Sequence, residues 1–337
     1  MYKLLFLTLI FSSTLISVSS YSWLGMWLGL EINLLSIIPL IQNSKSMMAS
    51  EAAIKYFIVQ AIASTIIMAS MITMMAKTNL TSNINIQSTF LLMMNSALLT
   101  KMGTAPFHFW FPEVMEGLDW MNCMLVLTWQ KIAPMVLLMY NMNLNLFVTI
   151  SIISSMVISG LMGVNQISLR KILAYSSINH MGWMLSAMMI METIWLYYFT
   201  IYALITINLV MIFNKYKMFF LNQLYQSMNE NSMTKLWFAV NFLSLSGIPP
   251  FLGFLPKWMI IQAMIMNEMI LLAVTMIVLT LFTIFMYIRI TISSILMNIN
   301  EQNWSKTNKL FYSFTISIMN FASLSSLIFI TILVNMT

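Results

Sequence analysis

Apolar runs separated by short polar clusters fill this chain from end to end. They predict eleven helical segments, at 2–20, 23–42, 50–76, 86–112, 120–140, 146–163, 170–190, 193–213, 236–266, 270–294 and 311–335. Most are about 20 residues long, the length a helix needs to cross a hydrocarbon core, and no polar domain intervenes. A spanning segment must satisfy its own backbone groups, which favours helices; the short alternating segments of a β-barrel do not occur. The expected class is therefore an all-α polytopic membrane protein, residues 1–337 forming a single membrane domain. The first run, Tyr2 to Ser20, reads as a spanning helix rather than a signal peptide, because further spans follow at once and no small-residue cleavage site appears.

Two of the runs are interrupted. The fourth contains Gly103-Thr-Ala-Pro106 and the ninth contains Gly247-Ile-Pro249-Pro250. Proline lacks the backbone donor and pushes the preceding residue out of the α region, so both helices should be discontinuous. The fourth run is fourth of the first five, and the ninth is fourth of the next five. Their prolines lie 143 residues apart (249 minus 106), close to the 144 between the starts of the two blocks (146 minus 2). A block of five spans forces the next block to enter with opposite orientation. The pattern predicts two inverted five-helix repeats, 2–140 and 146–294, with broken fourth helices and an extra C-terminal helix at 311–335.

Composition sharpens the membrane reading. The chain is 60% hydrophobic with a mean hydropathy of +0.88. Only 7% of its residues are charged, against roughly 25% in a soluble domain. The 37 methionines point to a coding bias rather than a packing need. A net charge of +6 does not imply nucleic acid, because the basic residues are scattered over short loops. Alternating sides from the N-terminus, Lys3, Lys45, Arg170, Lys171, Lys215, Lys217, Lys235, Arg289, Lys306 and Lys309 fall on one side, and Lys77 on the other with Glu192 and Glu268. The positive-inside rule then puts the N-terminus inside and the C-terminus outside. The acidic cluster Glu113, Glu116 and Asp119 also falls inside. A single cysteine, Cys123, excludes an internal disulfide and a cysteine-ligated cluster, and two distant histidines, His108 and His180, argue for no haem or metal site.

Six ionisable residues nevertheless lie within apolar runs: Glu31, Lys55, Lys101, Lys131, His180 and Lys257. A charge deep in a bilayer costs at least a few kcal/mol, so its presence marks an ion or proton path. An ionised Glu31 needs a cation nearby, and Lys55 or Lys101 can supply it. Lys101 directly precedes the first break, Lys131 stands beside Pro134, and Lys257 follows the second break. An ammonium removed from water can load and release a proton near neutral pH, so a Glu–Lys pair of variable separation is a proton switch. His180, with Tyr175, Ser176, Ser177 and Asn179, adds donors and acceptors to the seventh run. Lys55, near its helix start, reads equally as an interfacial lysine, and His180 equally as an interhelical hydrogen bonder. Arg170 and Lys171 fit orientation charges better than path members.

Several long motifs resemble one family. They are Lys101-Met-Gly-Thr-Ala-Pro-Phe-His-Phe-Trp-Phe-Pro-Glu113, Ser50-Glu-Ala-Ala-Ile-Lys55-Tyr-Phe, Leu169-Arg-Lys-Ile-Leu-Ala-Tyr-Ser-Ser-Ile-Asn-His180-Met-Gly, and Ser246-Gly-Ile-Pro-Pro-Phe-Leu-Gly-Phe-Leu-Pro-Lys257. With Trp23 to Glu31 and Trp129 to Pro134, they resemble the antiporter-like membrane subunits of respiratory complex I. The resemblance covers almost the whole chain and is to the animal mitochondrial form, especially that of insects. It implies a core membrane-arm subunit that carries part of the proton translocation coupled to NADH oxidation and ubiquinone reduction. By this resemblance Glu31 and Lys101 are the coupled pair, Lys131 the connecting lysine and Lys257 the second-half lysine. It implies no redox site or cofactor in this chain; NADH, flavin, iron–sulfur clusters and ubiquinone belong to partner subunits. It further implies the mitochondrial inner membrane, with the N-terminus in the matrix and the C-terminus in the intermembrane space. Its partners would be other membrane-arm subunits, including other antiporter-like chains, and lipid such as cardiolipin. The competing readings are a cation/proton antiporter of the same fold and a non-pumping scaffold of the membrane arm, which would gain nothing from buried charges.

Overall fold

A computed structural model describes residues 2–42, 46–78, 84–142, 145–228, 232–296 and Phe321. The expected segment 311–335 lies outside these, apart from Phe321. The described residues are helical, with one isolated antiparallel bridge between Ser168 and Phe220. The chain divides into two compact units, residues 1–155 and 156–337, and the division falls inside one helix.

The first unit holds α1 (Tyr2–Ser19), α2 (Trp23–Ile41), α3 (Met47–Thr78), α4 (Ile84–Met102), α5 (Trp110–Gly117), α6 (Trp120–Leu127), α7 (Trp129–Met139) and the start of α8 (Asn145–Gly163). The fourth expected run is broken between α4 and α5. Gly103 takes φ +70°, a left-handed conformation open mainly to glycine, and the Ala105–Pro106 peptide is cis. The helix resumes at Trp110 and runs past the expected end at 112, because Pro112 sits in the first turn, where no intrahelical donor is missed. The fifth run, expected as one segment at 120–140, differs as well. It is interrupted at Thr128 (φ −113°, ψ −71°), while Pro134 lies inside α7. The Thr128 hydroxyl donates to the Met124 carbonyl at 2.7 Å, a back-bond that bends helices.

The second unit completes α8 and adds α9 (Leu169–Ile190), α10 (Glu192–Tyr216), α11 (Leu221–Met228), α12 (Ser232–Ser246), α13 (Phe254–Met266) and α14 (Ile270–Leu296). The ninth run breaks between α12 and α13, where Gly247 has φ +75° and the Pro249–Pro250 peptide is cis. Helix α9 is buried along nearly its whole length, polar residues included, and packs on α10, α13 and α14. The short helix α11 was not expected. The Gln223 side chain supplies its cap by accepting from the Phe219 and Phe220 amides at 2.8 and 3.3 Å.

Among the described residues seven segments are long and apolar enough to cross a membrane alone: Tyr2–Ser19, Trp23–Ile41, Met47–Met75, Trp120–Met139, Leu146–Gly163, Glu192–Tyr216 and Ile270–Leu296. Helix α9 and the pieces of the fourth and ninth runs are not among them. Outward apolar side chains such as Ile150, Leu271 and Phe285 are exposed, as a lipid-facing surface requires.

Close packing of α1 on α2 depends on Gly29, where an added Cβ would lie 2.7 Å from the Ser17 nitrogen and 2.8 Å from its Cα. Gly29→Val should therefore destabilise the chain by about 1–3 kcal/mol. Thermal inactivation of membranes carrying the variant checks this, and an unchanged midpoint contradicts it.

Candidate functional site

In the first unit the site is built around the α4–α5 break. Lys101 occupies the last turn of α4 and is buried, 7% exposed. A helix C-terminus carries partial negative charge, so this is a favourable place for a cation. The Gln60 amide donates to the Lys101 carbonyl at 3.2 Å, and the Trp110 indole to the Thr100 carbonyl at 3.1 Å. The Thr100 carbonyl also accepts from the Gly103 amide at 3.2 Å, so both carbonyls at the end of α4 are occupied. Glu31, half-buried on α2, acts on the Lys101 ammonium through its charge. No N–O contact within 4.0 Å joins the two, so they are a separated pair rather than a closed salt bridge.

Lys131, on α7, is 2% exposed, and its Nζ stands 5.2 Å from the centroid of the Phe111 ring. That distance lies within the range of a cation–π attraction. The neighbouring Gln130 donates through Nε2 to Asn33 Oδ1 at 2.9 Å, tying α7 to α2 two residues from Glu31. His108, within the break, places Nδ1 3.4 Å from the Pro106 carbonyl and lies against Phe109.

Lys55 is placed differently. Its ammonium pairs with Glu51 and Glu113, each at 2.9 Å, and the side chain is 42% exposed. Its carboxylate partners are thus Glu51 and Glu113 rather than Glu31, and the cation near Glu31 is Lys101. Exposed pairs of this kind contribute little stability; this one links the start of α3 to α5.

In the second unit Lys257 folds back across the α12–α13 break. Its Nζ donates to the Ser246 carbonyl, the last of α12, at 2.7 Å and lies 5.8 Å from the Trp183 ring centroid. Gly247 leaves room for it, since a Cβ there would meet Lys257 Cδ at 2.7 Å and Nζ at 2.9 Å. Gly247 lies 144 positions after Gly103 (247 minus 103), whereas the lysines sit on opposite sides of their breaks, Lys101 before and Lys257 after.

His180 and its neighbours on α9 form a second polar group in this unit. His180 Nδ1 is 2.8 Å from the Tyr198 hydroxyl, and its ring lies 5.0 Å from that of Tyr202. Asn179 Nδ2 donates to Thr283 Oγ1 at 3.3 Å, Tyr202 bonds Ser177, and the Tyr287 hydroxyl faces Ser176. Tyr175 is buried on the same helix. Arg170 lies on the Phe219 ring, 4.7 Å from its centroid.

Sequence reasoning missed Phe111, Asn33, Gln60, Trp183, Tyr198 and Tyr202. The aromatic residues look like ordinary membrane-helix composition. The amides were legible only as polar residues inside apolar runs, the same signal that exposed the charges.

The model for the transmembrane family of NADH:quinone oxidoreductases and Mrp antiporters matches residues 20–283. The chain is 45% identical over 335 residues to NADH-ubiquinone oxidoreductase chain 2 of Anopheles gambiae, covering 98% of this chain and 97% of that one. With the chain of the same name from Aedes aegypti it shares 47% identity at the same coverage. Among solved structures it is similar to a chain of respiratory complex I from Thermus thermophilus, with a TM-score of 0.87 and 21% identity, covering 97% of this chain and 78% of that one. It is also similar to a chain of the Mrp complex from Dietzia sp. DQ12-45-1b, with a TM-score of 0.72 and 16% identity, covering 85% and 59%. At these identities the two structures establish a shared fold.

The Asn33–Gln130 contact yields a double-mutant prediction. Gln130→Leu leaves the buried Asn33 oxygen without this donor and should cost about 1–3 kcal/mol, whereas adding Asn33→Leu should recover part of that loss. Thermal inactivation of the three variants measures the difference; a double variant no better than the single one contradicts the pairing.

Proposed function

The chain belongs to the NADH:quinone oxidoreductase/Mrp antiporter membrane family, and we propose that it works as chain 2 of NADH–ubiquinone oxidoreductase, a core membrane-arm subunit of mitochondrial respiratory complex I. In this role it moves protons across the inner membrane while NADH oxidation and ubiquinone reduction proceed on partner subunits. The observation that carries the reading is the pairing of near-full-length identity to chains of that name with a buried Lys101 under the charge of Glu31 at a broken helix.

Each half uses its own carriers. In the first, Glu31 holds the proton on Lys101, and Lys131 receives it. Moving an ammonium and a carboxylate apart in a dry interior costs several kcal/mol, so a change in their separation changes how firmly Lys101 keeps its proton. In the second half Lys257 carries the proton at the α12 terminus, and His180 with Tyr198 offers exchangeable protons on α9. Lys55, held by Glu51 and Glu113, serves at the entrance rather than within the dry path. The division of labour matches two inverted five-helix repeats, 2–140 and 146–294. Support for the repeat comes from the equal spacing of the two positive-φ glycines and the starts of the two blocks. Loop lysines and arginines support an N-terminus in the matrix and a C-terminus in the intermembrane space. Partners are the other membrane-arm subunits, and surrounding lipid, cardiolipin included, meets the exposed apolar helix faces. The antiporter reading has weaker support, because the likeness to the Mrp complex extends to fold alone.

Lys101→Ala removes the carrier and strands Glu31 without its counter-charge. NADH–quinone turnover per assembled complex should fall about ten-fold or more, equivalent to ~1.4 kcal/mol on the barrier, although no redox centre is touched. Lys101→Arg should fail as well, because a guanidinium keeps its proton at any accessible pH. A Lys101→Arg complex that assembles normally and pumps with undiminished protons per electron would falsify the assignment.

A further inference from the structure

Phe111 touches both the first helix break and the buried Lys131. It is 1% exposed. On one side it lies against Gly103: a Cβ built there would come within 3.0 Å of Phe111 Cβ and Cγ. Gly103 is thus required twice, for its positive φ and for the approach of this ring. On the other side the Lys131 ammonium stands 5.2 Å from the ring centroid. Trp110 packs edge-on against Phe111, with centroids 5.5 Å apart and planes at 87°, and its indole is anchored on the Thr100 carbonyl next to Lys101. The ring is therefore fixed at one end by the residues around Lys101 and reaches Lys131 at the other.

Two physical properties follow from that position. A phenyl ring has no group that can hydrogen-bond water in line, so water cannot relay a proton through the space it fills. Its quadrupole attracts an ammonium but not a neutral amine. The ring is thus drawn over Lys131 while that residue is charged and released when it is neutral.

We propose that Phe111 is a positioning residue and gate for proton transfer between Lys101 and Lys131. With Lys131 protonated, the ring closes over it and bars the way back to Lys101. Once Lys131 has passed its proton on, the ring loosens and water enters. The Lys101 ammonium then gives one proton, through that water, to the neutral Lys131 amine; no electron is transferred. The inference rests on the reading of Lys101 and Lys131 as proton carriers. A parallel contact in the second unit, Lys257 with the Trp183 ring at 5.8 Å, shows an aromatic face again set against a buried lysine.

The test uses the assembled complex in sealed vesicles, with turnover, protons per electron and passive proton conductance without NADH all normalised to assembled complex. Phe111→Leu and Phe111→Met remove the ring face; Met is unbranched and fills the space, so it decides the outcome if Leu impairs assembly. Both should lower protons per electron more than they lower turnover, and raise passive conductance about two-fold or more. Phe111→Tyr keeps the ring face over Lys131 but adds a hydroxyl that water can bond, so it should hold protons per electron above the Phe111→Leu value while still raising passive conductance, a split that mere packing damage does not predict. Wild-type proton yield and conductance in Phe111→Met, or a proton yield in Phe111→Tyr as low as that in Phe111→Leu, would overturn the gate. Lys131→Gln separates the two levels: if it pumps normally the carrier reading fails, whereas if it does not pump and Phe111→Met pumps normally only the gate fails.

Discussion

A cation buried in an apolar bundle must find negative potential without a full ion pair, and this requirement organises the site. The two helix breaks meet it. Each ends a helix in the interior and leaves carbonyls with no helical donor, a patch of partial negative charge. Lys101 rides on the last turn of α4, and Lys257 reaches back to the final carbonyl of α12 at 2.7 Å. Glu31 adds a formal charge in the first unit at a distance that leaves the pair open. Aromatic faces lie against two of the lysines, Phe111 at Lys131 and Trp183 at Lys257. In the proposed function such open contacts let a buried lysine gain and lose its proton, where a closed salt bridge would hold it.

The breaks in turn depend on single residues. Gly103 and Gly247 take positive φ, and each also makes room for one particular side chain, Phe111 in the first unit and Lys257 in the second. Backbone freedom and steric room are thus joined at one position. Near the first break Gln60 donates to the Lys101 carbonyl, and the Gly103 amide and Trp110 indole to that of Thr100, so the non-helical stretch is tolerated in the interior.

Much of this was legible in the sequence because it rests on strong local signals. Among the described residues hydrophobic runs located the ten segments expected there, the eleventh lying outside them, and Gly–Pro clusters located both breaks. Charges inside apolar runs located Lys101, Lys131 and Lys257, all buried. What escaped depends on tertiary partners. Lys55 reads from sequence equally as a path member or an interfacial lysine, and only the fold brings it to Glu113, 58 positions away. The break at Thr128 arises where a threonine hydroxyl competes for a helical carbonyl, while the nearby Pro134 is accommodated inside α7. Phe111 shows no sign of its position in an aromatic-rich stretch, because only the fold places Lys131 beside it. Helix α11 is short and polar, and its cap comes from a glutamine that any loop might contain.

The central claim is that the charge of Glu31 holds the mobile proton on Lys101. Glu31→Gln preserves volume and removes that charge alone. In assembled complex, protons moved per electron and NADH–quinone turnover are measured in the same sealed vesicles. The account predicts that both fall, with Lys101 intact and every redox centre in place. Undiminished proton yield at wild-type turnover would contradict it.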